Sequence, residues 1–373
     1  LVATVQSHIC QFHKPLVEML HENNVEVHVC ARDNLKEKNG LKLDFADNVF
    51  NVPFQRSPFS PKNLKAYKML KKVINEGEYD VVHCNTPVGG ILTRLICKKI
   101  KKDKPCVIYE AHGFHFFKGG SKKNWLLYYP IEKHFAKYTD TLITINKMDY
   151  QLAKEKFSAK KVEYIPGVGV NLSGFIHNEN AITKEDIGLT KEDKIVLSVG
   201  ELNKNKNHQV IIKAISKIED KNVHYVLCGN GPLENELKEL ANKLGVQDRV
   251  HFMGYRRDVV DFYPLADVFA FPSRREGLGL APIEAMNFGV PLVTSNRHGI
   301  NDYSENGVTG FKYSPDDYLG FAEGIMKLLN DKELSDKIKE NNKIKAQEFS
   351  VENSIKEMKR IYQSIDEKSC SSK

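Results

Sequence analysis

Two glutamates, Glu276 and Glu284, lie eight residues apart on either side of the stretch "GLGL". The apolar run "VFAFPS" before them predicts a strand, and Pro282 suits the first turn of a helix that Gly289 would end. In doubly wound sheets, ligands bind where strands lead into helices, and the N–H groups at a helix start attract anions. The residues predicted to bind an anion, above all a phosphate, are Gly277, Leu278, Gly279 and Leu280, in a strand-to-helix loop over residues 277–281 with Glu284 in the first helical turn.

The two carboxylates would repel a phosphate, so we expect them to bind neutral hydroxyl groups beside it. A ribose diol on one side and a sugar on the other would satisfy both. The alternative is that Glu284 only stabilises the helix N-terminus electrostatically, by about 0.3–1 kcal/mol. That alternative leaves Glu276 and the glycines unexplained.

Apolar runs rich in β-branched residues alternate with amphipathic helical stretches in both halves of the 373-residue chain. This alternation predicts an α/β fold, with two doubly wound Rossmann-like domains facing a cleft. The segment "VEYIPGVGVN" (162–171) contains Pro and two glycines and is interpreted as a hinge. The predicted domains are residues 1–165 and 166–350, and a C-terminal helix over 351–373 is expected to cross back onto the first domain.

Composition and motifs exclude several classes of protein. The net charge of +7 is a mild basic excess, and the basic residues form no stripe typical of nucleic-acid binding. The seven cysteines show no zinc-site spacing and are expected to be free thiols in a reducing cytoplasm. Neither half contains the G-x-G-x-x-G fingerprint with a following acidic residue, which disfavours a dinucleotide oxidoreductase. No apolar run approaches the ~18–20 residues of a membrane span.

Aromatic residues and lysines occur together in "FHFFKGGSKKNWLLYYPIEKHF" (114–135). Residues 98–123 contain eight lysines and two acids, a balance that favours an anionic membrane surface. Aromatics beside lysines are typical of a helix lying in the membrane interface. The alternative is a helix that faces the core and exposes its lysines. The residues predicted to lie on the acceptor and membrane side are Ser7, His8, Phe114, Phe116, Phe117, Lys118 and Trp125.

The spacing E-x7-E inside "REGLGLAPIEAMNFGVPLV" resembles the donor-site signature of retaining glycosyltransferases of the GT-B fold, family four. More narrowly, the chain looks like the bacterial capsule and exopolysaccharide glycosyltransferases. Further matching segments follow in the expected order along the chain: "ATVQSHICQFHKPL", "DVVHCNTPVGG", "AHGFHFFKG", "LITIN", "IPGVGV", "SVGELNKNKNH", "LCGNGPL" and "ADVFAFPS".

The resemblance implies a role for each matching residue. Glu276 would hold hydroxyls of the donor sugar, Glu284 the nucleotide ribose, and Lys206 the diphosphate. The family usually has Arg where this chain has Glu201, and Lys204 would replace that missing cation. A solvated lysine pair in a polar loop is the alternative. Gly231 would lie near the base and diphosphate, and Arg256 near the base.

His112 matches the family's active-site histidine, so His112 and Glu276 are the predicted catalytic residues. The resemblance further implies acceptor binding by residues 1–165 and nucleotide-sugar binding by residues 166–350. The segment "NRHGINDY" (296–303) is expected to help select the sugar.

The sequence thus predicts a cytoplasmic enzyme, peripheral on the inner face of the plasma membrane. It would transfer a sugar from a UDP-sugar to a lipid-linked or other glycan acceptor, with retention of configuration. No cofactor and no metal are expected, because the chain lacks the Asp-x-Asp pair of metal-dependent glycosyltransferases. The alternatives are a UDP-sugar epimerase on the same scaffold and a non-enzymatic sugar-nucleotide sensor.

Overall fold

The structure is a computed structural model that describes residues 1–38, 40–174 and 182–370. The chain divides into two compact units. The first contains Leu1–Gly169 together with the chain from Val351 onward, and the second contains Val170–Ser350. The first unit therefore extends to Gly169 rather than ending at residue 165. The segment interpreted as a hinge also contains part of a strand, Lys161–Tyr164.

The first unit contains a seven-stranded sheet in the order β3-β2-β1-β4-β5-β6-β7. Every neighbouring pair is parallel. The strands are β1 (Val2–Val5), β2 (His28–Arg32), β3 (Asn48–Asn51), β4 (Val81–Asn85), β5 (Cys106–Ala111), β6 (Thr141–Thr144) and β7 (Lys161–Tyr164). The helices are α1 (Gln6–Phe12), α2 (Lys14–Glu22), α3 (Asn63–Glu76), α4 (Pro87–Cys97), α5 (Lys122–Ala136), α6 (Lys147–Lys156) and α12 (Val351–Cys370).

The second unit contains a six-stranded parallel sheet in the order β10-β9-β8-β11-β12-β13. Its strands are β8 (Lys194–Val199), β9 (Val223–Cys228), β10 (Val250–Gly254), β11 (Val268–Phe271), β12 (Leu292–Ser295) and β13 (Gly310–Tyr313). Its helices are α7 (Gln209–Ile215), α8 (Glu234–Lys243), α9 (Leu280–Asn287), α10 (Tyr318–Asn330) and α11 (Lys332–Gln347).

Each unit has its own apolar core, built from strands buried on both faces and the helices that cover them. The strands Val2–Val5, Val268–Phe271 and Leu292–Ser295 are buried at every residue, because both faces of a parallel sheet are covered. The core of the first unit includes Phe54, Leu70 and Val107. The core of the second includes Val196, Ile211 and Phe321. The prediction of two doubly wound Rossmann-like α/β domains is therefore confirmed.

The strand order reverses between β1 and β4 in the first unit and between β8 and β11 in the second. In doubly wound folds, ligands bind at the carboxyl ends of the strands that flank such a reversal. We therefore expect ligands to bind at the loops after β1, β4 and β5 in the first unit and at those after β8 and β11 in the second.

Candidate active site

In the second unit, the loops after β8 and β11 are joined by an ion pair. The Lys206 ammonium lies 2.7 Å from Glu276 Oε1, and it also lies over the Phe271 ring, 4.8 Å from its centroid. Both charged side chains are largely buried. Two of the predicted site residues therefore meet, although they are 70 positions apart in the chain.

Two asparagines fix these loops to each other. Asn205 Nδ2 donates to the Arg275 carbonyl, and the Arg274 N–H donates to the Asn205 carbonyl at 2.8 Å. Asn207, in the left-handed region with φ 61°, donates to the carbonyls of Pro272 and Pro315. These hydrogen bonds join segments that are 65 to 108 positions apart in the chain and so restrict movement of the loops that carry Lys206 and Glu276.

Helix α9 begins at Leu280, so Leu280 and residue 281 belong to the helix rather than to the loop predicted over 277–281. Gly279 precedes it with φ 90°, and a Cβ there would lie 2.8 Å from the Phe271 ring. The Leu278 side chain is buried and its carbonyl accepts from Tyr303 Oη. The first N–H groups of an α-helix have no acceptor within the helix. The start of α9 therefore presents backbone donors beside Glu276.

Glu284 lies in the second turn of α9, and no acidic residue lies in the first. The predicted place in the first turn is therefore wrong, and a simple helix-end effect does not account for Glu284. Its Oε2 accepts a hydrogen bond of 2.5 Å from the hydroxyl of the buried Tyr263. Burial raises the pKa of the Glu284 carboxyl, and the Tyr263 hydrogen bond partly opposes the rise. The carboxylate is held in a fixed orientation.

The remaining predicted donor-site residues lie in the same unit. A Cβ on Gly231 would lie 2.6 Å from the Leu202 carbonyl oxygen, so the loop after β9 can pack on the loop after β8 only with glycine there. The Arg256 guanidinium forms two hydrogen bonds with Asp258 and lies over the Phe262 ring. Lys204 is exposed at the loop surface.

Glu201, which stands where the family usually has arginine, is exposed. Its carboxylate accepts a hydrogen bond from Asn203 Nδ2 at 2.9 Å. Asn203 Oδ1 in turn accepts from the backbone N–H groups of Asn205 and Lys206. Glu201 therefore helps to orient the turn that carries Lys206, a role that needs no positive charge.

In the first unit, His112 follows β5 directly and its ring is mostly buried, with 18% of the side chain exposed. Its Nε2 lies 3.1 Å from Glu110 Oε1 and 3.3 Å from Asn85 Oδ1. Glu110 is itself buried, and its other oxygen lies 3.2 Å from His83 Nε2. Burial alone would raise the pKa of Glu110, but His112 and His83 outweigh it and hold the pKa well below its usual range.

The series of contacts continues into the C-terminal helix α12, since His83 Nδ1 lies 2.9 Å from the Tyr362 hydroxyl. Tyr362, His83, Glu110 and His112 therefore form one connected polar group inside the first unit. This group gives His112 a fixed orientation and a negative partner. The sequence provides no sign of Tyr362 or Glu110 as members, because their positions depend on the sheet order and on the return of α12.

His8 and His13 lie beside His112. The ring centroids of His8 and His112 are 4.6 Å apart, and those of His13 and His112 are 5.5 Å apart. Burial, together with His112, lowers the pKa of His8 well below its usual range, and burial lowers the pKa of His13 to about 3. Ser7, predicted on the acceptor side, is buried, and its hydroxyl accepts from Asn34 Nδ2. Ser7 is therefore engaged within the unit.

The aromatic segment predicted to lie on a membrane is largely core, so that prediction is wrong for its aromatic residues. Phe114, Phe116 and Phe117 are buried, and Trp125 packs against the same core. Phe114 and Phe116 stack at 5.1 Å between ring centroids, and Trp125 Nε1 donates to the Phe117 carbonyl. The physical reason is that the rings cover one another: Phe116 packs against Trp125 and Tyr129 of α5, and Phe114 packs against Phe157. Lys118 is exposed, as is Leu126 of α5.

The comparisons with known proteins agree with this architecture. Residues 179–345 match the family model described as glycosyl transferases group 1, and residues 1–146 match the one described as glycosyl transferase 4-like. The Bacillus subtilis (strain 168) protein EpsD, which carries a glycosyltransferase name, is 38% identical over 96% of this chain and 94% of its own length.

The chain belongs to the group 1 glycosyl transferases. A second relative of this family is the UDP-Gal:alpha-D-GlcNAc-diphosphoundecaprenol alpha-1,3-galactosyltransferase of Escherichia coli, 30% identical over 92% of this chain and 90% of its own length. Among solved structures, Anabaena Alr3699/HepE in complex with UDP has a TM-score of 0.77 and 18% identity, and covers 97% of this chain and 99% of its own. At that identity the likeness supports the fold.

Group 1 glycosyl transferases act on sugars, and glycosyltransferase activity is thus the chemistry of this chain. Among the described residues, no helix combines the length and the hydropathy that crossing a bilayer would require.

Proposed function

We propose that this glycosyltransferase takes its sugar from a UDP-sugar donor held in the second unit. The observation that carries the proposal is the Lys206–Glu276 pair beside the start of α9, with Glu284 fixed by Tyr263 a short way along the same helix. In the proposed complex, Lys206 and the α9 donors bind the diphosphate, because backbone N–H groups and a cation stabilise its charge. Glu276 binds sugar hydroxyls and Glu284 the ribose.

The remaining donor residues take roles consistent with their environments. Arg256 is proposed to lie near the base, and Lys204 to supply the cation missing at Glu201. Gly231 allows close approach of two backbones and so shapes the floor of the donor site. UDP as the nucleotide of the donor is supported by the name of the E. coli relative and by the HepE complex.

The acceptor is proposed to be a lipid-linked or other glycan that is bound by the first unit during synthesis of a surface polysaccharide. One support is the diphosphoundecaprenol substrate in the name of the E. coli relative. Another is the name of a third relative, the capsular polysaccharide biosynthesis glycosyltransferase CapM of Staphylococcus aureus. Such an acceptor would bring the enzyme to the inner face of the plasma membrane. The exposed lysines, Lys118 among them, would then meet anionic lipid.

Transfer is proposed to proceed with retention of configuration. Breaking the sugar–phosphate bond places positive charge on the anomeric carbon and negative charge on the departing diphosphate. His112, held by Glu110, is assigned to the sugar side of this charge separation, and Lys206 with the α9 donors to the diphosphate side. Glu276, paired with Lys206, is assigned to hydroxyl binding rather than to attack. The departing phosphate helps to accept the proton of the acceptor.

Transfer is further proposed to need no metal ion, since Lys206 and the helix start provide positive charge where a cation would otherwise be needed. The test is a panel of UDP- and GDP-sugars with a polyprenyl-diphosphate-sugar acceptor, assayed with and without EDTA. We expect turnover with a UDP-sugar, undiminished by EDTA, and NMR of the product showing the donor's anomeric configuration.

The same assay with His112→Ala should show a turnover about 100-fold lower, a loss of about 3 kcal/mol of transition-state stabilisation, with little change in UDP affinity. An inverted product would reject the retaining mechanism. Conversion of the UDP-sugar to its epimer without acceptor would replace transferase with epimerase. Binding without any turnover would indicate a sensor.

A further inference from the structure

Three histidines of the first unit lie close enough together to hold one ion. His8, His13 and His112 each offer a ring nitrogen, and these nitrogens all lie within 4.8 Å of one another. Tetrahedral Zn–N bonds of about 2.0–2.1 Å place ligand nitrogens roughly 3.3 Å apart, so side-chain shifts of about 1–1.5 Å would close the three rings on an ion. None of the three ring pairs is stacked, and their planes meet at 55° to 78°.

A second observation points independently to a ligand. His13 is only 2% exposed, and its Nε2 has no hydrogen-bond partner among the described residues. The same holds for the buried Nε2 of His8 in that part of the chain. Buried ring nitrogens without a partner are destabilising, and native proteins seldom leave them so. A ligand that accepts the lone pairs of these two Nε2 atoms would satisfy both nitrogens at once.

The third ring is arranged as metal-binding histidines usually are. His112 directs Nε2 at Glu110 and Asn85, which leaves Nδ1 as the nitrogen able to bind an ion. A carboxylate on the far nitrogen of a ligating histidine fixes the ring and strengthens its binding. The sheet order explains why these residues lie together. His8 and His13 follow β1, whereas Glu110 lies near the end of β5 and His112 directly follows it, two strands away beyond β4.

We propose that His8, His13 and His112 form a binding site for a divalent transition-metal ion such as Zn²⁺, and that the ion inhibits sugar transfer by occupying His112. Imidazole ligands favour Zn²⁺, Co²⁺, Ni²⁺ and Cu²⁺ over the hard cations Mg²⁺ and Ca²⁺. The inhibitory part rests on the proposed function, in which His112 serves the reaction. The ion is thus a regulator, in an enzyme that is proposed to transfer sugar without a metal ion.

The site is tested by titrating Co²⁺ into chelator-treated protein from which any affinity tag has been removed, with no donor or acceptor present. We expect one equivalent of Co²⁺ with the visible absorption of a tetrahedral site, displaced by Zn²⁺ and unaffected by excess Mg²⁺. His8→Gln should weaken binding by at least 10-fold, and Glu110→Gln, which acts through His112, by about 10–100-fold. His134→Gln is the matched control, because His134 is an exposed histidine of the same unit.

His13→Gln is also expected to lose Co²⁺, but its ring is buried and the variant is informative only if its circular dichroism matches the parent. His8 is partly exposed, so His8→Gln keeps the test decisive. Co²⁺ affinity unchanged in His8→Gln, or equally weakened in His134→Gln, would overturn the site. A buried water among the three rings would satisfy the nitrogens but give no Co²⁺ spectrum, and that result would also overturn it.

The inhibitory role is tested separately in the transferase assay. Zn²⁺ should reduce turnover over the concentration range in which it displaces Co²⁺, and the ratio of activities with and without Zn²⁺ should move toward one in His8→Gln. Undiminished transfer at saturating Zn²⁺ would reject inhibition. Because Co²⁺ binding is read without substrates, a chain that turned over no donor would reject the proposed function and leave the metal result unaffected.

Discussion

Glu284 combines burial, a raised pKa and a hydrogen bond from Tyr263, an environment suited to binding a diol. Because the ribose is present in both UDP and UDP-sugar, Glu284→Ala should weaken binding of plain UDP. Loss of a charge-assisted hydrogen-bond pair should remove about 1.5–3 kcal/mol, roughly 10–150-fold in affinity. Glu276→Ala should change UDP affinity much less, since the partner proposed for Glu276 is the sugar, which UDP lacks. Isothermal titration calorimetry with UDP measures both.

Tyr263→Phe provides a finer version of this experiment. It keeps the ring that packs on Phe269 and Phe288 and removes only the hydroxyl that orients Glu284. UDP affinity should fall, but less than in Glu284→Ala. Glu239→Ala, at an exposed glutamate of α8, is the matched control and should bind as the parent does. Equal UDP affinity in Glu284→Ala and Glu239→Ala would contradict ribose binding by Glu284.

His208 is a buried histidine of the second unit, bonded to the Tyr225 hydroxyl, and burial lowers its pKa from 6.5 to about 3. The unfolded chain therefore binds a proton below pH 6.5 that the folded unit binds only near pH 3. Stability from neutral His208 is present above pH 6.5 and is lost as the pH falls toward 3, by about 2 kcal/mol at pH 5.

The measurement is the urea midpoint of unfolding at pH 7 and at pH 5. The decrease on acidification should be smaller in His208→Gln than in the parent, because glutamine does not titrate. His21, an exposed histidine, supplies the control substitution His21→Gln, which should keep the parent's decrease. A His208→Gln variant as acid-sensitive as the parent would show that other groups dominate.

Among the elements, the aromatic segment before and within α5 gives the clearest expectation. Phe116 is fully buried, so Phe116→Ala should reduce the free energy of unfolding by about 3–5 kcal/mol. Leu126, on the same segment but 81% exposed, is the control, and Leu126→Ala should have little effect. Thermal unfolding measures both. Binding of folded protein to anionic liposomes should be the same for Phe116→Ala and the parent, and loss of binding without loss of stability would restore the membrane interpretation.

The failure of the membrane interpretation has a physical explanation. The segment has the composition of an exposed loop, because its aromatic residues lie next to "KGGSKK". Composition does not show whether the aromatic rings point into the core or toward solvent. The rings are buried by contacts with distant segments, such as that of Phe116 with Phe157, and α5 itself is joined to α4 by the buried pair of Glu132 and Arg94 at 2.9 Å. Such pairs depend on the assembled sheet and have no local signature.

The strands β8, "KIVLSV", and β11, "VFAF", could be predicted because burial on both faces leaves a run of apolar residues. The edge strand β3, "NVFN", could not, since only its two central residues are partly buried. In the site, the motif predicted Glu276 and Lys206 as donor residues, and the structure brings the two side chains together. Their direct ion pair could not be foreseen, because it depends on β8 and β11 being neighbours.

At the scale of the whole molecule, α12 is the element that returns to the first unit after the second is complete. It buries Met358 and Ile361, and Tyr362 contacts His83. Ile361→Ala should therefore destabilise the first unit by about 2–5 kcal/mol. Removing residues from 351 onward should leave this unit unable to fold, while residues 170–350 still form theirs.

Limited proteolysis followed by mass spectrometry separates the two outcomes. Rapid cleavage in residues 1–169 with a protected fragment near 170–350 is expected for the shortened chain. Lys359→Ala, an exposed position of the same helix, should leave the full chain as resistant as the parent. Equal protection of both units without the helix would contradict the expectation.

The position of α12 in the chain also determines when the first unit can complete its fold during translation. All strands of the first unit are translated before residues 170–350, yet the helix that contacts His83 is translated only after them. At about 5–20 residues per second, that interval lasts roughly 10–40 s. During that interval, the apolar face of the nascent first unit that packs against α12 stays uncovered. A chaperone could bind this face until α12 is translated.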